Sequence, residues 1–224
     1  MDSEYEKKYH ASELNQWWFV ARRKEIIRQL ESSKDAQILD IGCASGVLLK
    51  TLSFMGYTNI QGIDISETAV KSARGWGIKA EIMDGVRLQF TDKFDCIIAS
   101  DCLEHIEDDT KALKSWHDSL NIKGRAIVYV PAFMSLWSNH DVLNHHFRRY
   151  TLQELTEKME AAGFKVARSG YWNKLLFPLA YFRKGGGIKE TGWIIYAVLV
   201  TLLSLERFLP VPWGVSCFVI GERQ

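Results

Sequence analysis

Short, continuously apolar runs alternate with amphipathic ones along most of the chain. The runs at 37–41, 60–64, 80–83 and 94–99 have strand length, and the one at 94–99 carries apolar side chains towards both faces. That pattern belongs to strands covered by helices on either side. Further strands are predicted at 125–130, 164–169 and 216–221. The intervening helices start and stop on recognisable signals. One runs over 45–54 and stops at Gly56. One begins behind Ser66 with Glu67 in its first turn, and one spans 109–120, closed by Asn121 and Gly124. Thr151 and Glu154 form a capping box for a helix with Leu152, Leu155, Met159 and Ala162 inward. Strands alternating with helices predict an α/β fold: a doubly wound, mostly parallel, seven-stranded sheet.

Two regions lie outside this alternation. Residues 1–33 read as an N-terminal helical cap, with Trp17, Trp18, Ala21, Ile26 and Leu30 roughly on one face and Arg22, Arg23 and Lys24 clustered mid-helix. Residues 171–213 are far longer than a hairpin connection requires. They hold LLFPLAYF, a basic RKGGG and the run WIIYAVLVTLLSL. That run is shorter than the roughly 20 residues of a spanning helix. It is too apolar for a solvated one. Burial over the core, a dimer interface, a lipid-binding roof or a membrane surface remain as roles, and Arg183 and Lys184 beside it resemble an interfacial element. The domain reading is therefore a cap (1–33), a core (34–170 and 214–224) and an apolar helical insertion (171–213).

Composition narrows the partners. A formal net charge of +1 gives no basic field for nucleic acid. Cys43, Cys96, Cys102 and Cys217 make no CxxC pair, which predicts free thiols in a reducing compartment rather than a zinc site. The polar start MDSEYEKKYH contains no leader-like apolar stretch, so a cytoplasmic location is expected, extending to the inner face of the membrane if the insertion acts there.

The chemistry concentrates in ILDIGCASG, residues 38–46, where a strand runs into a small-residue turn, and in Asp64 at the tip of the next strand. This is the βα-β arrangement that binds an adenosine-containing cofactor. A dinucleotide turn needs GxGxxG, but Val47 occupies the third glycine position, and Asp40 would repel a pyrophosphate. An NAD-dependent reading is disfavoured on those grounds. A ligand with a sulfonium and an ammonium suits the acid better.

LDIGCASG (39–46), GIDIS (62–66), MDGVRLQFTDKFDCIIA (83–99) and SDCLEHI (100–106) occur in one order at consistent spacing. With these four segments the chain resembles class I S-adenosylmethionine-dependent methyltransferases over nearly its whole length, within the small-molecule branch that includes the ubiquinone-biosynthesis O-methyltransferases. The resemblance implies a Rossmann-like methyltransferase fold and S-adenosyl-L-methionine as cofactor. It implies that Asp40, Gly42, Ala44 and Gly46 lie along the methionine part. Asp64 would take the ribose hydroxyls, Ile65 the adenine face, and Asp84, with the Gly85 and Val86 backbone, the adenine amino group. Ser100 and Asp101 would lie near the methionine end. Ala44 stands where many members have glycine, and its methyl group is accommodated if φ is negative.

His105 is the leading candidate for the base that takes a hydroxyl proton, since it follows the fourth strand at the mouth of the crevice. A histidine packing the next helix is the competing role. Asp101, Glu104 and His105 also offer a partial divalent-metal set, although the reading adopted assigns no metal. A second polar cluster, Asn139-His140-Asp141 and His145-His146-Phe-Arg148-Arg149-Tyr150, falls on the carboxyl edge of the sheet. His145 and His146 are its catalytic candidates, against a role in pinning the loop. Two functions stay open. One is an O-methyltransferase for a small or lipid-like acceptor, as monomer or homodimer with peripheral membrane contact. The other is a non-catalytic cofactor-binding subunit docked to a membrane-associated partner.

Overall fold

The structure is a computed structural model that describes residues 13–14, 16–182, 199, 201, 203, 206 and 209–224. Residues 1–12 of the cap, the RKGGG segment and all of the 193–205 run except Leu199, Thr201 and Leu203 lie outside the described residues. Among the described residues no helix is long and apolar enough to cross a membrane.

The elements, in chain order, are α1 (Trp17–Gln29), β1 (Ile38–Ile41), α2 (Val47–Phe54), β2 (Ile60–Asp64), α3 (Glu67–Gly75), β3 (Lys79–Ile82), β4 (Phe94–Ser100) and α4 (Asp109–Asp118). They continue with β5 (Leu120–Pro131), α5 (Asn139–Leu143), α6 (Leu152–Ala161), β6 (Phe164–Trp172), α7 (Phe177–Phe182) and β7 (Ser216–Arg223). One sheet joins all seven strands in the order β3-β2-β1-β4-β5-β7-β6. β7 runs antiparallel to both of its neighbours, and the other pairs are parallel. The expected doubly wound, mostly parallel sheet is what forms.

Strand alternation divides the core into two layers. Ile38, Ile98, Ile127, Tyr129 and Ile220 face α1, α2 and α3, where they meet Trp17, Ala21, Ile26, Leu49, Leu52 and Val70. Leu39, Ile41, Ile97, Ala99 and Val128 face the other way, onto Trp116, Leu155 and Met159 of α4 and α6. The helix starts use the residues their sequence advertises. Ser66 Oγ accepts from the Ala69 amide, and Thr151 and Glu154 cap each other's backbone reciprocally.

Some boundaries depart from the sequence pattern. α4 stops at Asp118 and β5 already begins at Leu120, because Leu120 pairs with Phe94 before a register shift brings Arg125 opposite Cys96. Lys123, at φ +66°, turns the chain within that bulge, so Asn121 and Gly124 belong to a strand irregularity rather than a helix end. β6 and β7 extend to Trp172 and Arg223 because each pairs along the other's full length.

The turn after β1 lies tightly on β2. A Cβ at Gly62 would fall 2.5 Å from Cys43 Sγ and 2.8 Å from Leu49 Cδ1. Gly62→Ala must therefore displace the turn or the helix behind it, and the expected loss is about 1–3 kcal/mol, the range for overpacking a core. Denaturant unfolding of the variant should show a lowered midpoint. An unchanged midpoint would mean that the turn yields freely.

Candidate cofactor and acceptor site

The crevice opens at the carboxyl ends of β1, β2 and β4. The turn from β1 into α2 has Gly42 at φ +71°, Ala44 at +47° and Gly46 at +79°. Its amides are already engaged. Gly42 and Cys43 donate to the Ile63 carbonyl (2.9 and 3.0 Å), Ala44 to Asp64 Oδ2 (2.9 Å) and Gly46 to the Cys43 carbonyl (2.9 Å). A phosphate-binding turn would keep such N–H groups for its ligand. This one directs them into its own scaffold and presents carboxylates instead.

Those carboxylates gather from three directions. Asp40 is buried at the end of β1, Asp64 ends β2, and Glu13 reaches in from the cap to accept from Ser45 Oγ at 2.7 Å. Burial, then the charges of Asp64 and Glu13, push the Asp40 carboxyl up to about 8. A cationic ligand here would relieve that repulsion. Asp64 also accepts from the Ser66 amide (2.9 Å), which fixes both of its oxygens at the crevice mouth. Beside it Ile65 and Ile82 are 75% and 56% exposed, two apolar side chains at the crevice mouth. Asp84 is exposed and accepts from the Val86 amide, and Gly85 is held close to Ile41, where a Cβ would be 2.9 Å from Cγ2.

At the opposite end Ser100 closes β4 and Asp101 follows at φ +53°. Arg22 of α1 is buried there. Its guanidinium lies 3.3 Å from Asp101 Oδ2, donates to Ser216 Oγ (2.7 Å) and Ser100 Oγ (3.4 Å), and stacks over Tyr129 and Trp172 at 4.7 and 4.4 Å. Cys102 packs under the turn, where a Cβ on Gly42 would be 2.9 Å from its Sγ.

Beyond Asp101, Leu103–His105 form one 3-10 turn, and the loop after β5 folds over it. The rings of His105 and His146 meet edge to face at 4.6 Å. Burial, then His146, lower the His105 pKa to about 4, so this imidazole is uncharged at neutral pH. His146 Nδ1 lies 2.9 Å from Asp141 Oδ1. Burial alone would raise the Asp141 carboxyl, but its bonds to His146 and to Arg149 hold it well below the usual carboxylate range. Arg149 grips Asp141 with Nε at 2.7 Å and Nη2 at 2.9 Å.

The guanidiniums that the sequence offered to an anionic acceptor are thus spent on the loop itself, Arg149 on Asp141 and Arg148 on Asp109 at 2.7 Å. His145 is exposed at φ +56° and does not join the His105–His146 pair. Ala44 departs from the negative φ its methyl group favours. Sequence patterns gave no sign of Glu13, nor of the burial of Arg22 and Asp141. Arg22 appeared as one of three basic residues on a helix, and its burial depends on Ser216, 194 positions away.

An apolar rim flanks the loop. Phe133 stacks on Tyr171 and meets Phe177 edge-on, and α7 packs on the turn at Met134–Leu136. Met134, Val142, Leu143, Phe147, Leu179 and Phe182 stand exposed.

Comparison with known proteins shows the family and the fold. The family described as "Methyltransferase domain" matches residues 10–169. A ubiquinone biosynthesis O-methyltransferase of Hydrogenovibrio crunogenus is 25% identical over 157 residues, covering 62% of this chain and 60% of that protein. The chain thus spans about three fifths of that relative's length. Among solved structures, a Haloferax volcanii methyltransferase complex containing the Trm112 activator superposes with TM-score 0.70 at 18% identity, covering 99% of this chain and 94% of that one. The Haemonchus contortus phosphoethanolamine N-methyltransferase 2, solved with S-adenosyl-L-methionine, gives TM-score 0.65 at 17% identity, covering 90% of this chain and 52% of that one.

Two expectations follow from the crevice. Because the folded Asp40 holds its proton up to about pH 8 and an unfolded carboxyl releases it near 4, the folded state binds the extra proton between those values. Stability of the ligand-free protein should therefore fall as pH rises from 4 to 8. Asp40→Asn should flatten that slope and gain on the order of 1 kcal/mol or more at pH 8, read from denaturant midpoints at pH 5 and 8; a slope identical to that of the native protein would refute the assignment. Separately, Ala44→Gly should stabilise by about 1 kcal/mol through relief of the left-handed backbone, as a rise in thermal midpoint.

Proposed function

The chain belongs to the methyltransferase-domain family, with S-adenosylmethionine as its cofactor, and on that premise we propose that it methylates an oxygen of a small, lipid-like acceptor. The observation that carries the cofactor half is the turn after β1, whose amides are consumed internally while Glu13, Asp40 and Asp64 converge on the crevice. Those residues fit a cofactor that is cationic at one end and a nucleoside at the other. Asp64 would accept from the ribose hydroxyls, Ile65 and Ile82 would hold the adenine face, and Asp84 with the Gly85–Val86 backbone would read its amino edge. Gly42, Ala44, Gly46, Ser100 and Asp101 surround the methionine part. Bound there, the cofactor supplies an electrophilic methyl group on a good leaving group, so alignment and exclusion of water can carry much of the acceleration.

The acceptor half rests on the loop after β5. Methylation of an acceptor hydroxyl would require that its proton leave. His105 and His146 are the candidates to receive it, with Asp141 fixing the tautomer of His146. His145 belongs outside this step. The exposed apolar rim motivates the lipid-like class, since isolated apolar residues are ordinary on a surface but a cluster beside a crevice marks a binding face. The name of the Hydrogenovibrio relative, an O-methyltransferase of ubiquinone biosynthesis, points the same way.

Purified protein with methyl-labelled S-adenosylmethionine should label a component of a lipid extract, and Asp64→Asn should weaken cofactor binding by about 10–100-fold, the cost of two lost charge-assisted hydrogen bonds. Label appearing only in water-soluble metabolites or protein would remove the lipid-like acceptor. Unchanged binding by Asp64→Asn would remove the cofactor placement.

A further inference from the structure

The cap helix delivers one buried cation to the carboxyl edge of the sheet. Arg22 is 3% exposed, and its guanidinium lies between the rings of Tyr129 and Trp172. The rings hold its plane, and hydrogen bonds hold its edge. Nη2 donates to the hydroxyl of Ser216, the first residue of β7, at 2.7 Å. Nη1 lies 3.3 Å from Asp101 Oδ2 and 3.4 Å from Ser100 Oγ. Ser100 Oγ in turn donates to the same Asp101 oxygen at 3.1 Å. A second acid is near enough to act on Arg22, since Glu104 is fully buried and feels its charge. Neither oxygen of Glu104 has a hydrogen-bond partner, so the guanidinium is committed to Asp101.

Asp101 is held at one oxygen only. Its amide donates to the Tyr129 carbonyl at 2.9 Å, its φ is +53° and its side chain is 29% exposed. A non-glycine residue keeps a left-handed backbone where its surroundings over-determine it. Here the β5 carbonyl fixes the main chain, and Arg22 with Ser100 fixes Oδ2. Among the described residues Oδ1 has no partner. Ile41 pairs with Ala99, so Asp101 stands beside the turn that starts at Gly42. The carboxylate therefore presents one free oxygen, in a fixed orientation, at the mouth between β1 and β4. A preorganised acceptor of that kind suits a cation.

We propose that Arg22 is a positioning residue, which locks Asp101 so that its Oδ1 meets the ammonium of the cofactor's amino-acid end. This role rests on the cofactor placement proposed above. Arg22 acts through Asp101 and does not touch the cofactor. Two opposing effects set the sign of its removal. A guanidinium on Oδ2 repels a second cation, so losing it would favour the ammonium. Against this, an unanchored Asp101 can turn into water, away from the neighbouring acids Asp40, Asp64 and Glu104, all of which act with it on the Cys102 thiol. Orientation wins, because Oδ1 meets the ammonium at hydrogen-bond distance while the guanidinium acts from the far side of the carboxylate, and Coulomb energy falls with distance.

The test measures binding of S-adenosylhomocysteine and of methylthioadenosine to the full-length protein by calorimetry. Methylthioadenosine keeps the nucleoside and the thioether but lacks the amino-acid end. Asp101→Asn and Arg22→Met should each weaken S-adenosylhomocysteine by about 10-fold or more, the worth of one charge-assisted hydrogen bond. Both should leave methylthioadenosine within about 3-fold, a split that a merely structural loss would not produce. The double variant should bind S-adenosylhomocysteine no more weakly than Asp101→Asn alone. Losses that multiply would mean that Arg22 contacts the ligand itself and would overturn the positioning role. Equal weakening of both ligands, or unchanged S-adenosylhomocysteine affinity in Asp101→Asn, would overturn it too. If Arg22→Met does not fold, Arg22→Lys carries the same cycle, since an ammonium has no rigid fork to bridge Ser216 and Asp101. Asp64→Asn, measured alongside, separates the two ideas, and it should weaken both ligands because both carry the ribose. That weakening without an effect at Asp101 would sink the positioning role alone. No effect at Asp64, with the split kept at Asp101, would sink the ribose placement and leave the positioning role standing.

Discussion

The carboxylate of Asp64 is the constraint on which the rest of the site depends. One oxygen takes the Ala44 amide of the turn after β1, and the other takes the Ser66 amide at the start of α3. A single side chain thus ties two consecutive crossover units at the point where the crevice opens. The close approach it enforces is why Gly62 has no room for a Cβ and why Ala44 occupies a left-handed backbone. It also brings Asp64 near Asp40, and Glu13 of the cap adds a third acid. The charges of Asp64 and Glu13 make the buried Asp40 harder to ionise, so the ligand-free crevice stores repulsion that a cation would discharge. The fold accepts a less favourable ground state at the mouth of its crevice.

Much of this was legible in the sequence because it is local. The doubly wound sheet follows from apolar runs and caps that act within a few residues, such as Ser66 on Ala69 and Thr151 on Glu154. The turn after β1 is local too, since Asp40 to Gly46 are contiguous and Asp64 ends the next strand. Boundaries blurred where pairing partners decide them. Nothing near Leu120 announces that it will join Phe94 across a bulge, and β7 reaches Arg223 because Phe164 lies opposite.

The second half of the site was far less legible, for the opposite reason. His105 and His146 are forty-one positions apart and meet only because the loop after β5 returns over the 3-10 turn. Within that loop, HHFRRY looks like a row of equivalent polar groups. The structure separates them by what lies behind each. His146 has Asp141, Arg149 has the same Asp141, Arg148 has Asp109, and His145 faces outward. The sorting depends on Asp141 being buried, and composition carries no signal of that. The Ser138–Asp141 capping box supplies the reason: the carboxylate that caps α5 is the one that also orients His146 and holds Arg149.

Arg22 links the two halves. Its guanidinium lies between the rings of Tyr129 and Trp172 and contacts Ser100, Asp101 and Ser216, so α1, β4 and β7 all converge on one cation. A fully buried guanidinium is costly unless its charge is balanced, and Asp101, just past the end of β4, supplies the balance. That pairing has a consequence for Glu104. Asp101 is the nearer acid to satisfy Arg22, and Arg149 is committed to Asp141. Two buried cations therefore sit close to Glu104 without bonding either of its oxygens. Charge balance inside the cluster is complete without Glu104, and its carboxyl is left facing imidazoles. The same arithmetic of partners leaves one acid over, fully buried beside His105 and His146.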